Sequence, residues 1–222
     1  GKVEREIDFW DDGDYEGVEM VGDDICVVKS SGTVYYIQSN GSKYDKVEKY
    51  NFFLDSDNDV EGLAYDAGNN RLLLACKAKA GKGAEFDQKK GIYSFNLATM
   101  QLEAEPAFTV SLDDVLNYLS RSNYLEDKDK LLERFNEDAD EFAFAPSSLA
   151  IHPLTRQIFI LSSVGKMLMV IDHSGKIVHL QKLKKKVHPQ PEGICFDTDG
   201  TMYIANEGKD DDPGKIHVFK MK

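Results

Sequence analysis

The chain has 222 residues, of which 27 are Lys or Arg and 39 are Asp or Glu, so its formal net charge is −12. This excess of acid argues against nucleic-acid binding, which depends on Lys and Arg neutralising phosphates, and against an anionic membrane surface. No apolar run reaches the roughly 18 residues that a membrane-spanning helix needs, so we expect no membrane span in this chain. The three cysteines lack CxxC spacing and are predicted to be buried apolar side chains.

The first predicted element is a strand over residues 2–10, KVEREIDFW, in which apolar and charged residues alternate. Alternation of this kind is typical of an outer, half-exposed strand. The segment from Tyr15, YEGVEMVGDDICVVKSSGTVYYI, predicts three short strands, because apolar runs are separated by turns rich in Gly and Asp. The run KVEKYNFFL (46–54) alternates again and completes a unit of four strands.

The same unit begins again at Val60 with VEGLAYDAGNNRLLLACK. It returns at Pro146 with PSSLAIHPLTRQIFILSS and at Pro191 with PEGICFDTDGTMYIANEG. The spacing from Glu16 to Glu61 is 45 residues, and the spacing from Ser147 to Glu192 is also 45. A period near 45 with four strands per repeat is the signature of a β-propeller blade. We therefore predict an all-β fold: a single propeller domain over residues 1–222.

An insertion separates the second and third repeats. Residues 77–91, KAKAGKGAEFDQKKG, are predicted to be a Lys- and Gly-rich loop, and residues 111–141 are predicted to be helical. Ser111 with Asp114 resembles a capping box, and apolar residues recur after it at helical spacing. The simplest interpretation is a helical excursion packed on one rim of the ring, and the alternative is an element that binds a partner protein.

The last repeat stops after its third strand, KIHVFKMK. One interpretation is that residues 2–10 supply the missing outer strand of the last blade and close the ring, which would remove exposed sheet edges. The alternative is that these residues end a first blade whose other strands precede this chain.

The pair Glu-Gly recurs immediately before the inner strands, at Glu16, Glu61 and Glu192, with Ser147 at the equivalent place in the third repeat. Residues that enter the inner strands of a propeller should point at the mouth of the central channel. Facing carboxylates need raised pKa values or a bound cation, and oxygen ligands favour Ca²⁺ or Mg²⁺. The sequence thus predicts a metal site at Glu16, Glu61 and Glu192, and the alternative is that each Glu only fastens one blade to the next.

Two histidines, His152 and His188, lie nearest the junctions between repeats. With Ser147 they are candidate ligand-binding residues at the channel face.

These four repeats resemble the SdiA-regulated domain family, a set of bacterial extracytoplasmic β-propellers. The resemblance implies five blades, of which four are visible here, so the first blade is expected to be incomplete. It also implies a periplasmic or envelope-associated protein. Some related propellers are calcium-dependent lactonases or phosphoesterases, and that analogy adds Asn206 and Glu207 to the candidate site.

Two functions remain open from the sequence. The first is a module that binds a small molecule or a protein at its channel face without catalysing a reaction. The second is a calcium-dependent hydrolase, in which His188 or His152 would act as a base.

Overall fold

A computed structural model describes residues 2–3, 5–39, 46–122, 125–135, 142–208 and 213–220. In these ranges four antiparallel sheets follow one another along the chain, each with its first strand innermost. Consecutive inner strands lie side by side, so the sheets are arranged as the blades of a propeller. The prediction of an all-β propeller with four visible repeats is confirmed.

The strands of each blade follow the predicted repeats. Blade 1 consists of β1 (Tyr15–Val21), β2 (Asp24–Lys29), β3 (Val34–Gln38) and β4 (Lys46–Tyr50), and blade 2 of β5 (Val60–Asp66), β6 (Arg71–Cys76), β7 (Lys89–Asn96), β8 (Gln101–Leu102) and β9 (Phe108–Ser111). Blade 3 consists of β10 (Pro146–Ile151), β11 (Ile158–Ser162), β12 (Met167–Ile171) and β13 (Ile177–Lys182), and blade 4 of β14 (Pro191–Phe196), β15 (Met202–Asn206) and β16 (Lys215–Phe219).

The predicted helical insertion follows the outer part of blade 2, where β8 and β9 both pair with β7. Helix α1 (Leu112–Arg121) begins at the predicted capping box, since Ser111 Oγ accepts from the Asp114 N–H and the Asp114 carboxylate accepts from the Ser111 N–H. Helix α2 (Lys128–Arg134) follows. Buried apolar residues of both helices join the core between blades 2 and 3, and α1 contacts the outer strand β13.

The hydrophobic core lies between the blades, which is where the sheet faces meet. One cluster joins blade 1 to blade 2, a second joins blades 2 and 3 to the helices, and a smaller third joins blade 3 to blade 4. Strands buried on both faces explain the nearly continuous apolar runs in the sequence.

The first residues do not form the predicted outer strand. Within residues 5–10 no strand is present, and no fourth strand pairs with β16 among the described residues. Instead Phe9 and Trp10 pack against Tyr35 of blade 1, with ring centroids 5.8 and 5.2 Å apart. This face of blade 1 points away from blade 2 and carries Tyr35 and Ile37, so apolar burial decides where the segment lies.

The cysteines and the helices bear on two other predictions. Cys26 and Cys76 are buried as predicted, but Cys195 on the inner strand β14 is exposed, so that part of the prediction is wrong. Among the described residues, neither helix is long and apolar enough to cross a lipid bilayer.

Candidate functional site at the channel mouth

Each inner strand contains a β-bulge directly after its first residue. The register with the second strand shifts between Tyr15 and Gly17, Val60 and Gly62, Pro146 and Ser148, and Pro191 and Gly193. The extra residues are therefore the four equivalent positions that the repeat singled out: Glu16, Glu61, Ser147 and Glu192. A bulge leaves the extra residue out of the ladder and re-aims its side chain. This explains why a charged residue is tolerated at the start of a buried strand.

The residue after the bulge lies against the next blade. A Cβ on Gly17 would lie 2.7 Å from Leu63 Cβ, and a Cβ on Gly62 would lie 2.3 Å from Leu149 Cδ2. These positions need glycine because the neighbouring blade occupies the space that a side chain would take. The Glu-Gly pair thus combines a side chain aimed out of the sheet with a close contact between blades.

The glutamates of blades 1 and 2 influence each other electrostatically. Burial raises the pKa of Glu16 to about 7, helped by a hydrogen bond and charge repulsion from Asp14 and by repulsion from Glu61. Burial also raises the pKa of Glu61 to about 7, with Lys77 acting in the opposite direction. We call Asp14, Glu16, Asp59, Glu61, Lys77 and Glu192 the channel mouth.

Lys77, at the end of β6, is the cation of the channel mouth. Its Nζ donates to Glu61 Oε1 and lies 4.0 Å from Asp59 Oδ2. Burial opposes its charge, but the hydrogen bond and charge of Glu61, together with the charges of Asp59 and Glu192, outweigh burial and raise the pKa of Lys77. Burial raises the pKa of Glu192, and the positive charge of Lys77 opposes that increase.

Lys77 already compensates the charge of Glu61, so a calcium ion bound here would have to displace the Lys77 ammonium group. In the described part of the chain, no three His, Cys, Asp or Glu side chains are grouped closely enough to hold a metal. The calcium site at Glu16, Glu61 and Glu192 therefore stays a prediction, and no chemistry is assigned to it.

Two candidate ligand residues have structural partners. Ser147 is buried, and its hydroxyl donates to the Pro191 carbonyl of blade 4 at 2.9 Å. His152 follows the opposite end of β10, where its Nδ1 accepts from the N–H groups of Leu154 and Thr155 at 3.2 Å each. Four strand residues lie between Ser147 and His152, which places them about 16 Å apart, so His152 does not lie at the channel mouth.

The remaining candidates lie on blade 4 and the segment that leads to it. His188 is buried, and its Nδ1 lies 3.3 Å from Asn206 Nδ2. Its ring packs against His217 and Phe219, and both His188 and Asn206 belong to the side of blade 4 that faces blade 3. Glu207 is exposed and accepts a hydrogen bond from Gln190.

An open groove begins at Lys77 and Asp59 and extends between the 77–91 loop and the helical insertion, with a volume of about 1040 Å³. Its charged lining residues are five cations and two acids: Lys77, Lys79, Lys89, Lys90, Arg134, Asp59 and Asp87. We call this the basic groove. The sequence predicted a Lys- and Gly-rich loop at 77–91 and a helical insertion that contains Arg134, but it did not predict that their cations line one groove.

A model of the SdiA-regulated family matches residues 1–209, and a search of curated proteins found no match.

One similar solved structure is a nidogen/laminin complex, with 15% sequence identity and a TM-score of 0.49 over 85% of this chain and 54% of that chain. Another is the Pan2 WD40 domain of Neurospora crassa, with 10% identity and a TM-score of 0.50 over 92% of this chain and 47% of that chain. The Cps50 (Swd1) β-propeller domain of Myceliophteria thermophila is also similar, with 13% identity and a TM-score of 0.46 over 88% of this chain and 50% of that chain. The chain thus spans about half the length of the solved chains that it matches. The likeness to the Pan2 domain shows the propeller fold alone. The family model, by contrast, covers nearly the whole sequence, and the chain therefore belongs to the SdiA-regulated family.

Proposed function

We propose that the protein is a non-enzymatic binding module that holds a small organic anion in the basic groove at its channel face. The observation that carries this proposal is the gathering of five cationic side chains along one groove of a chain whose net charge is −12. The volume of the groove, about 1040 Å³, lies just above the usual range for small-molecule sites, which is about 300–1,000 Å³.

The cations of the groove are held by different parts of the structure. Lys90 Nζ donates to the carbonyls of Lys77 and Ala78 at 2.7 and 2.9 Å, which anchors it beside the end of β6. Arg134 ends helix α2 and packs over Gly165, and its buried Nε has no hydrogen-bond partner among the described residues. A carboxylate or phosphate oxygen would satisfy this donor, since guanidinium groups bind such anions well.

The groove also offers an apolar wall. Phe86, Phe142, Ala143, Ala145 and Val164 line it opposite or between the charged residues. A site with apolar walls and a few convergent polar groups is typical of a small-molecule pocket. The expected ligand is therefore a carboxylate or phosphate on an apolar or mixed body. The carboxylates of the channel mouth would repel its anionic end toward the cations of the basic groove.

A binding role is favoured over the metal-assisted hydrolase because the hydrolase requires a metal where Lys77 forms its ion pair. The hydrolase and its calcium ion stay predictions that await a direct test. The same is true of the envelope location that the family resemblance implies, which fractionation of the native cells with an antibody would establish.

Isothermal titration with a panel of mono-, di- and tricarboxylates, sugar phosphates and matched amines tests the proposal. We expect binding of anions and not of amines, with affinity falling as salt increases. Arg134→Gln should weaken binding roughly tenfold, since it removes a charge-assisted hydrogen bond. Arg121→Gln, at the exposed end of α1, is the matched control and should bind like the wild type.

Two results would contradict the proposal. One is equal affinity of the Arg134→Gln and wild-type proteins for every anion that binds. The other is a preference for amines, which would locate recognition in the acidic channel mouth instead.

A further inference from the structure

A second cavity lies between blades 3 and 4, away from the basic groove, with a volume of about 660 Å³. Phe159 and Leu168 line it on blade 3, and Met202, Ile204 and Phe219 line it on blade 4. We call it the interblade cleft. Its size lies well within the range of small-molecule sites.

Two other parts of the chain enclose the cleft. Leu183, Val187 and His188 belong to the segment that links β13 to β14 and lies over the cleft. Residues 125–127 of the helical insertion close its outer side. Four separate chain regions therefore converge on one cavity. The cleft is thus enclosed by more than the two blade faces.

The wall from blade 4 continues into a polar end. Alternate residues of a strand share one face, so Asn206 lies on the same face as Met202 and Ile204. The register places His217 opposite Ile204 and therefore on that face too. His188 joins this group, with its ring centroid 5.0 Å from that of His217.

This polar end has hydrogen-bonding capacity that the protein does not use. Asn206 is 5% exposed, and its Oδ1 has no hydrogen-bond partner among the described residues. The buried Nε2 of His217 also lacks one in the same set. Buried polar atoms without partners are uncommon in native proteins, because each costs about 1–3 kcal/mol. A ligand that supplies a hydrogen-bond donor would remove that cost.

The charged groups around the cleft are confined to its outer side. Glu126, Asp127, Lys182 and Lys184 come from the insertion and from the end of β13 and the segment after it. Burial and the neighbouring His217 lower the pKa of His188, so this imidazole is neutral at pH 7. The inner wall of the cleft is thus apolar beside the neutral His188 ring, which disfavours a ligand that must bury a charge there.

We propose that the interblade cleft binds an uncharged small molecule that has an apolar ring or chain and a hydrogen-bond donor, such as an amide or a hydroxyl group. The apolar body lies between Phe159, Met202 and Phe219. The donor reaches the Asn206 and His217 end. This site is independent of the basic groove, which takes anions.

The test uses five probes of similar size: benzamide, benzyl alcohol, ethylbenzene, benzoate and benzylamine. Protein labelled with ¹³C at its methionine methyl groups reports binding by NMR, because Met202 lines the cleft while Met20 is exposed on blade 1. Benzamide and benzyl alcohol should shift the Met202 methyl signal at concentrations at which benzoate and benzylamine do not. The Met20 signal should stay unchanged.

Two variants sharpen the result. Met202→Trp fills the cleft from a half-buried position and should abolish benzamide binding, whereas Phe53→Trp, at an exposed site on another part of the ring, should not. Asn206→Leu should remove the advantage of benzamide over ethylbenzene, a loss of roughly fivefold or more for one buried hydrogen bond. Since Asn206 is buried, its variant is interpreted only beside a melting curve, and Met202→Trp keeps the test decisive if the Asn206 variant unfolds.

Three outcomes would overturn the proposal. They are equal shifts at Met20 and Met202, equal affinity for benzamide and ethylbenzene in the wild type, and benzamide binding that survives Met202→Trp. Arg134→Gln separates this site from the basic groove, because it should weaken anion binding and leave benzamide binding unchanged.

Discussion

The contact between blades 2 and 3 differs from the contact between blades 3 and 4, although both join equivalent repeats. Between blades 2 and 3, Gly62 lets Leu149 approach the inner strand closely, and Asp66 at the far end accepts a hydrogen bond from Arg156 at 2.6 Å. The two helices add apolar residues to the same core. This contact is filled with side chains from the channel outward.

Between blades 3 and 4 the inner strands are joined by hydrogen bonds instead. Ser147 donates to the Pro191 carbonyl, and Ser148 Oγ accepts from the Ile194 N–H at 3.2 Å. A small apolar cluster joins the two blades, and three of its members, Leu168, Leu183 and Ile204, also line the interblade cleft. The comparison teaches that one repeat unit can form either a packed contact or a cavity, depending on a few side chains at equivalent positions.

The largest expected effect comes from Leu149→Ala in the packed contact. Leu149 is 1% exposed, and truncating a buried leucine typically costs about 2–5 kcal/mol because it leaves a cavity. Val18 holds the same position in the first repeat but is 68% exposed, so Val18→Ala should change the free energy of unfolding by less than about 0.5 kcal/mol. Urea denaturation of both variants checks the difference, and equal losses would contradict it.

Gly62→Ala should have the next largest effect. Its Cβ would lie 2.3 Å from Leu149 Cδ2 and 2.9 Å from Ala75 Cβ, and such overpacking costs about 1–3 kcal/mol. Gly193→Ala is the matched control in blade 4, where the nearest atom, Ala205 Cβ, lies 3.2 Å away. Denaturation midpoints should rank wild type first, Gly193→Ala next and Gly62→Ala last; the reverse order of the two variants would refute the tight contact.

Asp66→Asn should have a smaller effect. Burial opposes the charge of Asp66, but hydrogen bonds from Asn69 and Arg71, with the charges of Arg71 and Arg156, lower its pKa. The carboxylate therefore contributes stability above the unfolded-state pKa of about 3.8, and this is lost as pH falls through the lower folded-state value. We expect a loss of about 1–2 kcal/mol at pH 7, against almost none for Glu207→Gln, whose carboxylate is exposed.

A further expected effect is a pH dependence that originates at two glutamates of β1. Burial raises the pKa of Glu19 to about 7, although backbone N–H groups of Tyr65 and Met20 oppose it; Glu16 has the same direction. The folded state then holds more protons than the unfolded state between about pH 4.5 and 7, so stability falls as pH rises through that window.

Melting temperatures measured from pH 5 to pH 8 check this prediction. Glu19→Gln should flatten the profile, because the amide does not titrate, while Glu85→Gln on the 77–91 loop should leave it unchanged. A wild-type profile that rises across this window would show that other groups dominate.

Much of the fold could be predicted because it depends on patterns within short stretches of the sequence. Apolar runs with Gly- and Asp-rich turns located the strands, and the 45-residue spacing identified the blade as the repeating unit. The Ser111–Asp114 capping box located the start of α1, because a cap depends only on residues within one turn. Residues 5–10 were misplaced, since an alternating pattern says that one face is buried but not against which sheet.

The candidate site was less predictable for the same reason. The repeat identified Glu16, Glu61 and Glu192 as equivalent, and the bulges give them a common structural role. Nothing local marked Lys77 as the partner of Glu61, because the two residues come together only through the pairing of β5 with β6.

The sequence by itself determined the repeating four-stranded unit, the place of the helical insertion and the positions of the bulged residues, because periodicity and turn chemistry act over short stretches of chain. Only the tertiary structure decided which charges meet at the channel mouth, where the lysines of the 77–91 loop gather, and which contact between blades stays open. Those outcomes depend on side chains that are tens of residues apart in the chain and close in space.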